Sequence, residues 1–150
     1  MIMATFEETQ AQLNYEVAVY REQLMMLKRE TERISLTAID LSNALKTVEN
    51  LGAEKVLILI GGGAMIKGRV TETKVLVPIG AEYLMEMEKD AATLELSRRI
   101  EATRNAANKL NEEFNRIMGK LQEVSGQLQD LEVQTKISER GEETMKEDYV

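Results

Sequence analysis

The chain of 150 residues has no cysteine, no histidine, no tryptophan and one proline. Without cysteine there is no disulfide framework and no thiol nucleophile, and without either Cys or His there is no zinc site of the usual ligands. Without histidine there is no Ser-His-Asp triad, and a proton shuttle near neutral pH would need a strongly shifted Glu, Asp or Lys. Aromatic residues are scarce, two Phe and four Tyr, which is few for a compact core of this length. The absence of any apolar run near ~18 residues argues against a membrane span. The first residues, Met1-Ile2-Met3-Ala4-Thr5-Phe6-Glu7-Glu8, lack the basic and apolar regions of a signal peptide. A net charge of −7 repels nucleic acid and anionic lipid. The expectation is a cytoplasmic protein with no nucleic-acid partner and no membrane association.

What the chain does have is period. Stepping alternately by three and four residues gives Met3, Phe6, Gln10, Leu13, Val17, Tyr20, Leu24, Leu27, Thr31, Ile34, Ala38, Leu41, Leu45 and Val48, and all but Gln10 and Thr31 are apolar. That is a heptad seam sustained without a phase slip, the mark of a coiled coil. A helix over 5–51 is predicted, with Thr5 and Glu8 as a capping box and Gly52 as its stop. At about 1.5 Å per residue it would be roughly 70 Å long. A second helix over 90–140 starts at Asp90 as N-cap. Its seam is Thr93, Leu96, Ile100, Thr103, Ala107, Leu110, Phe114, Ile117, Leu121, Val124, Leu128, Leu131, Thr135 and Ser138. Residues 141–150 are left as an acidic tail.

Between the helices the period changes. Over 55–87, Val56-Leu57-Ile58-Leu59-Ile60-Gly61 and Val75-Leu76-Val77-Pro78-Ile79-Gly80 form two copies of one unit, rich in β-branched residues and bounded by glycine. Each reads as the first strand of a β-hairpin. Both faces of Val56 to Ile60 are apolar, and two hairpins cannot cover them within one chain. Pairing with hairpins of other subunits closes the edges. Val56, Ile58, Ile60, Ile66, Val75, Val77 and Ile79 are the expected oligomerisation residues. The fold class is thus mainly α: one domain over 1–150, a long antiparallel coiled-coil hairpin with two β-hairpins inserted between the helices, the hairpins completing an intersubunit β-barrel.

These residues resemble the alpha class of the prefoldin family, especially the archaeal type. The most specific match is the hairpin pair, Val56 to Gly68 and Val75 to Tyr83, with the apolar strand, the glycine turn and the Ile66-Lys67-Gly68 run. Two positions depart from the family pattern: Leu59, where a Pro is usual, and Glu82, where a Gly is common. The resemblance implies a hexamer of two alpha and four beta subunits, with the hairpins forming a double barrel from which coiled-coil arms hang. It further implies a chaperone without ATP or any other cofactor, not an enzyme, which holds unfolded proteins and passes them to a group II chaperonin. The rival reading is a structural coiled-coil or adaptor protein that binds no client.

Three constellations invite other chemistry. Gly61-Gly62-Gly63-Ala64-Met65-Ile66-Lys67-Gly68 is not a phosphate loop: Lys67 precedes the last glycine, no Ser or Thr follows, and the next segment is a strand. Glu86, Glu88 and Asp90 read as a solvated junction at a helix N-terminus rather than a metal site. Methionine is the exception, since flexible, polarizable side chains suit promiscuous binding. Met25, Met26 and Met118 read as packing beside the seam. If facing residues sum to about 144, as Val48 opposite Leu96 requires, Phe6 lies opposite Ser138 and Met3 opposite Gly141. The first helix then stays apolar where its partner has turned polar. Met1, Ile2, Met3, Phe6, Leu13 and Met145 are the expected client-binding tip. The carboxylates of Glu139 to Asp148 offer a contact for a basic surface on a chaperonin.

Overall fold

The structure, a computed structural model, describes the backbone of residues 2–52 and 55–149 and the side chains of 5–52 and 55–149. The element order is α1 (Ile2–Glu49), β1 (Val56–Gly61), β2 (Ala64–Gly68), β3 (Val75–Gly80), β4 (Tyr83–Met87) and α2 (Lys89–Glu147). Two compact units divide the chain: 33–108, and 1–32 together with 109–150. This is the expected class, two long helices around a pair of antiparallel hairpins.

The seams are where the periodicity puts them. From Leu13 to Val48 every seam position of α1 is buried or half-buried, and so is every seam position of α2 from Thr93 to Leu131. Thr135 and Ser138 are exposed. The threonines within the seams direct their hydroxyls into the helices. Thr31 Oγ1 donates to the Leu27 carbonyl at 2.8 Å and Thr103 Oγ1 to the Arg99 carbonyl at 2.7 Å, so their burial leaves no orphaned hydroxyl.

The helix ends differ from expectation. α1 starts at Ile2, so Thr5 lies inside the helix and is no cap; its carbonyl accepts from Thr9 Oγ1 at 2.7 Å. α2 starts at Lys89, and the Glu88 carbonyl accepts the Ala92 N–H at 2.9 Å, which moves the start ahead of Asp90. Gly141 does not end α2, which runs to Glu147. A helical glycine costs about 1 kcal/mol relative to alanine, too little to break so long a helix. The expected acidic tail is therefore mostly helix. The stop of α1 holds: Gly52 has φ +146°, and Lys89 Nζ donates to the Leu51 carbonyl at 3.1 Å, tying the end of α1 to the start of α2.

The hairpins are copies in three dimensions as well as in sequence. β1 pairs with β2 as Val56↔Gly68, Leu57↔Lys67, Ile58↔Ile66, Leu59↔Met65 and Gly61↔Ala64. β3 pairs with β4 as Val75↔Met87, Leu76↔Glu86, Val77↔Met85, Pro78↔Leu84 and Gly80↔Tyr83. The registers correspond position by position, including the irregularity before the last pair. The turn geometry is repeated too. Gly62 and Gly63 have φ of 57° and 79°, and in the second copy Ala81 and Glu82 take 48° and 62°. A left-handed backbone is free for glycine and strained for the other two.

The copies differ in what covers them. Val77 is 2% exposed, packed in a cluster with Val48, Ala92 and Leu96, with Leu41, Ala44, Leu45, Leu51, Val75 and Met87 around it. Its counterpart Ile58 is 46% exposed, and Ile66 across the strand 49%. Truncating Val77 to Ala removes two buried methyl groups and opens a gap, an expected loss of roughly 2 kcal/mol in urea melts at low protein concentration. Ile58→Ala in the same assay should cost less, about 1 kcal/mol, because about half of that residue is already open to water.

Candidate functional site

Two surfaces stand out, one in each unit. In 33–108 the hairpins present Leu57, Leu59, Ile60, Met65, Leu76, Ile79, Tyr83 and Leu84 to solvent. Each sheet has two strands, so every strand keeps one unpaired edge. Of the residues expected to mediate oligomerisation, Ile58, Ile60, Ile66 and Ile79 are exposed, and Val56 and Val75 are half-buried. Val77 is a correction. It belongs to the chain's own core, because the face it shares with Val75 and Met87 docks on α1 and α2. Alternation along a strand places Val77 on one face or the other of the sheet. It does not say which face the helices take.

The second surface lies where α1 begins and α2 ends. Met1 lies outside the described residues, as do the side chains of Ile2 and Met3. Phe6 is 37% exposed and lines a shallow hollow with Thr5, Thr9, Leu131 and Gln134. On α2 the residues sharing that hollow are Leu131 and Gln134, one to two turns before Ser138. Facing arithmetic carried from Val48 and Leu96 to the far end of both helices overshoots Gln134 and Leu131 by one to two helical turns. Leu13 is half-buried in the seam, whereas Met145 is 71% exposed.

The same end of α2 carries two residues the heptad reading passed over. Val133 and Ile137 are exposed. Their spacing of four puts them side by side on one helix face. They lie off the seam, and an apolar pair four apart outside the seam was the available signal. Met25 and Met26 are also exposed, so they do not pack beside the seam as expected; Met118 is half-buried.

Charge decorates the outer faces. Arg116 Nε donates to Glu113 Oε2 at 2.8 Å and holds that carboxyl below the usual range, while Glu113 raises Arg116. Arg99 Nε donates to Glu95 Oε1 at 3.0 Å. These are exposed or half-exposed pairs one turn apart on a single helix and contribute little stability. At the junction of hairpin and helix, Glu86 pairs with Lys74 at 3.9 Å. Among the described residues no acidic cluster is arranged to hold a metal ion, and no helix is long and apolar enough to cross a membrane.

Paired helices with seams, carrying hairpins whose apolar faces and edges are left open, define a subunit built for assembly. The comparisons agree on which kind. The prefoldin subunit family model matches residues 20–134, so the chain belongs to the prefoldin family, a family of chaperones. It is 33% identical over 97 residues to prefoldin subunit alpha of Methanococcus aeolicus, covering 63% of this chain and 67% of that one. With prefoldin subunit alpha of Methanobrevibacter smithii the identity is 26% over 124 residues, 80% of this chain and 85% of the relative. Two solved structures share the fold. A filamentous prefoldin from Methanocaldococcus jannaschii, seen by cryo-electron microscopy, has TM-score 0.63 at 24% identity, with 76% of this chain and 98% of that chain covered. The crystal structure of the prefoldin beta subunit from Thermococcus strain KS-1 has TM-score 0.58 at 21% identity, covering 82% and 90%.

The seam and the exposed methionines can be separated by substitution. Leu24→Ala, at a buried seam position, should lower stability by roughly 2–3 kcal/mol in a urea melt. Met25→Ala and Met26→Ala, its immediate neighbours, should each stay within about 0.5 kcal/mol of wild type.

Proposed function

We propose that this chain is an alpha-type prefoldin subunit working as an ATP-independent holdase in the cytoplasm, with no catalytic residues. In this reading the hairpins join it to beta-type subunits, two alpha with four beta. The helix ends grip unfolded clients, which pass to a group II chaperonin. The observation that carries the proposal is the apolar surface left open where the helix pair ends: Phe6, Val133, Ile137 and Met145, beyond or beside a seam that has turned polar at Thr135 and Ser138. Isolated exposed apolar side chains are ordinary, but several at one end of a helix pair mark a contact surface. Met1, Ile2 and Met3 extend the same apolar sequence.

Covering one such side chain is worth roughly 1.5–3 kcal/mol at most. One arm holds a client weakly. Several arms on one client raise retention through effective concentration. Release then needs no nucleotide, since a chaperonin can compete for the same client. The carboxylates Glu139, Glu142, Glu143 and Glu147 of α2 and Asp148 just after it, against Arg140 and Lys146, supply an acidic end suited to a basic docking surface.

Replacing Met1, Ile2, Met3, Phe6, Val133, Ile137 and Met145 by Ser should leave assembly intact and lower the melting temperature only slightly, through the Phe6–Leu131 neighbourhood. Light scattering of an aggregating client should show protection sharply reduced. Full protection at equal oligomer concentration would favour an adaptor that binds no client. The hairpins are tested separately: replacing 55–87 by a short flexible loop should leave a helical monomer by native mass measurement, and an oligomer surviving that deletion would refute their role.

A further inference from the structure

Methionine is the only sulfur residue of this chain. There are nine and no cysteine, so the reversible oxidation open to its sulfur atoms is thioether to sulfoxide. Met25, Met26, Met65, Met85 and Met145 are exposed, Met87 and Met118 are half-buried, and none of the described methionines is fully buried. Met65 and Met85 belong to the hairpins. Met25 and Met26 lie about 35 Å along α1 from its start. Met145, 71% exposed, is the most open of the described methionines.

Helix length accounts for the exposure of Met145. Phe6 shares its hollow with Leu131 and Gln134. From Phe6 back to Ile2, α1 continues for about 6 Å, whereas from Gln134 on to Glu147, α2 continues for about 20 Å. α2 therefore runs more than two turns beyond the described start of α1, and Met145 sits in that overhang. The step of four and three that makes the seam passes from Ser138 through Glu142 to Met145. Within α2 after Ile137, Met145 is the one apolar side chain; the others are charged, hydroxyl-bearing or glycine. A change of polarity at this one sulfur removes the apolar contact of the whole overhang.

We propose that Met145 is a redox-sensitive modification site: hydrogen peroxide oxidises its thioether to the sulfoxide, and the tip loosens its hold on an apolar client until the sulfoxide is reduced. This rests on the reading of the helix ends as the client-binding tip. The sulfur lone pair attacks one peroxide oxygen. The S–O bond forms as the O–O bond breaks, and the second oxygen leaves as water with both hydrogens. Sulfur loses two electrons and the peroxide gains them. The product carries an oxygen acceptor, and burying it against apolar surface without a donor costs free energy. Peroxide suits the place because it is uncharged. Glu142, Glu143, Glu147 and Asp148 repel an anionic oxidant and leave a neutral one unaffected.

The test treats the full chain, assembled with beta-type subunits, with hydrogen peroxide and then removes the excess with catalase. Peptide mass mapping reads the sulfoxide at each methionine. Light scattering of an aggregating client reads protection at equal oligomer concentration. Met145 should oxidise about threefold or more faster than half-buried Met118. Protection by wild type should fall about twofold or more, and return with the two methionine sulfoxide reductases, one per epimer, and a dithiol. Met145→Leu keeps the apolar side chain without the oxidisable sulfur, and should keep more of its protection at the same dose. Met145→Gln, polar from the start, should protect like oxidised wild type without any peroxide. A chain with Met25→Leu and Met26→Leu should lose protection as wild type does. Oxidation of Met145 no faster than of Met118, or equal loss in wild type and Met145→Leu, overturns the proposal. The serine variant of the whole tip separates it from the reading it rests on. If that variant loses protection while wild type carrying the Met145 sulfoxide keeps it, the tip reading stands and the redox site is refuted. If that variant protects fully, the tip reading fails and the redox site with it.

Discussion

The burial of Val77 against Val48, Ala92 and Leu96 is the contact on which the organisation of 33–108 depends. A two-stranded hairpin is marginal in water, because two strands cannot bury a face between them. Here the second hairpin is anchored because the last turn of the α1 seam and the first turns of the α2 seam give Val77 a dry site. The tie from Lys89 to the Leu51 carbonyl closes the same corner with a charge-assisted hydrogen bond. The first hairpin has no such anchor. Ile58, in the position equivalent to Val77, lies over Gly68, where an added Cβ would come within 2.8 Å of its Cδ1, and remains about half open to water. One repeat is thereby fixed to the chain and the other left for something outside it.

The heptad seams show how a sequence states a fold when one periodicity governs many residues. Every apolar seam position from Leu13 to Val48 and from Leu96 to Leu131 is withdrawn from water to some degree, because a stripe repeating every 3.5 residues can satisfy itself only against another stripe. The hairpins were legible for a different reason: glycine clusters and β-branched runs restrict the backbone locally. The helix ends were less legible. Thr5, Asp90 and Gly141 all resemble end signals, yet each is worth about 1 kcal/mol, and the helices run past all three.

The sites divide along the same line. That the hairpins would stay apolar and uncovered followed from the two-faced pattern of Val56 to Ile60. That Val77 is an exception did not, because alternation fixes which residues share a face and leaves open which face the helices take. Val133 and Ile137 were passed over because a search for seam positions discards what lies outside them. Phe6 was placed opposite Ser138 by counting equal rises along two helices from one pair near the hairpins, over a length at whose far end Phe6 shares a hollow with Leu131 and Gln134.

Duplication explains why the two hairpins can keep one geometry while diverging in chemistry. Once backbone pairing fixes the register, side chains on the outward face answer to whatever meets them rather than to the fold. The turn shows how strongly the register holds: Ala81 and Glu82 adopt the left-handed conformation that Gly62 and Gly63 take freely. A strain of about 1–2 kcal/mol per residue is tolerated there because the Val77 anchor and the strand pairs on either side determine the turn. The docked copy can carry that strain, since its burial compensates. The undocked copy, with little burial of its own, has glycines at the same two positions and stays unstrained. The distribution of glycine between the two turns therefore follows the distribution of burial between the two hairpins.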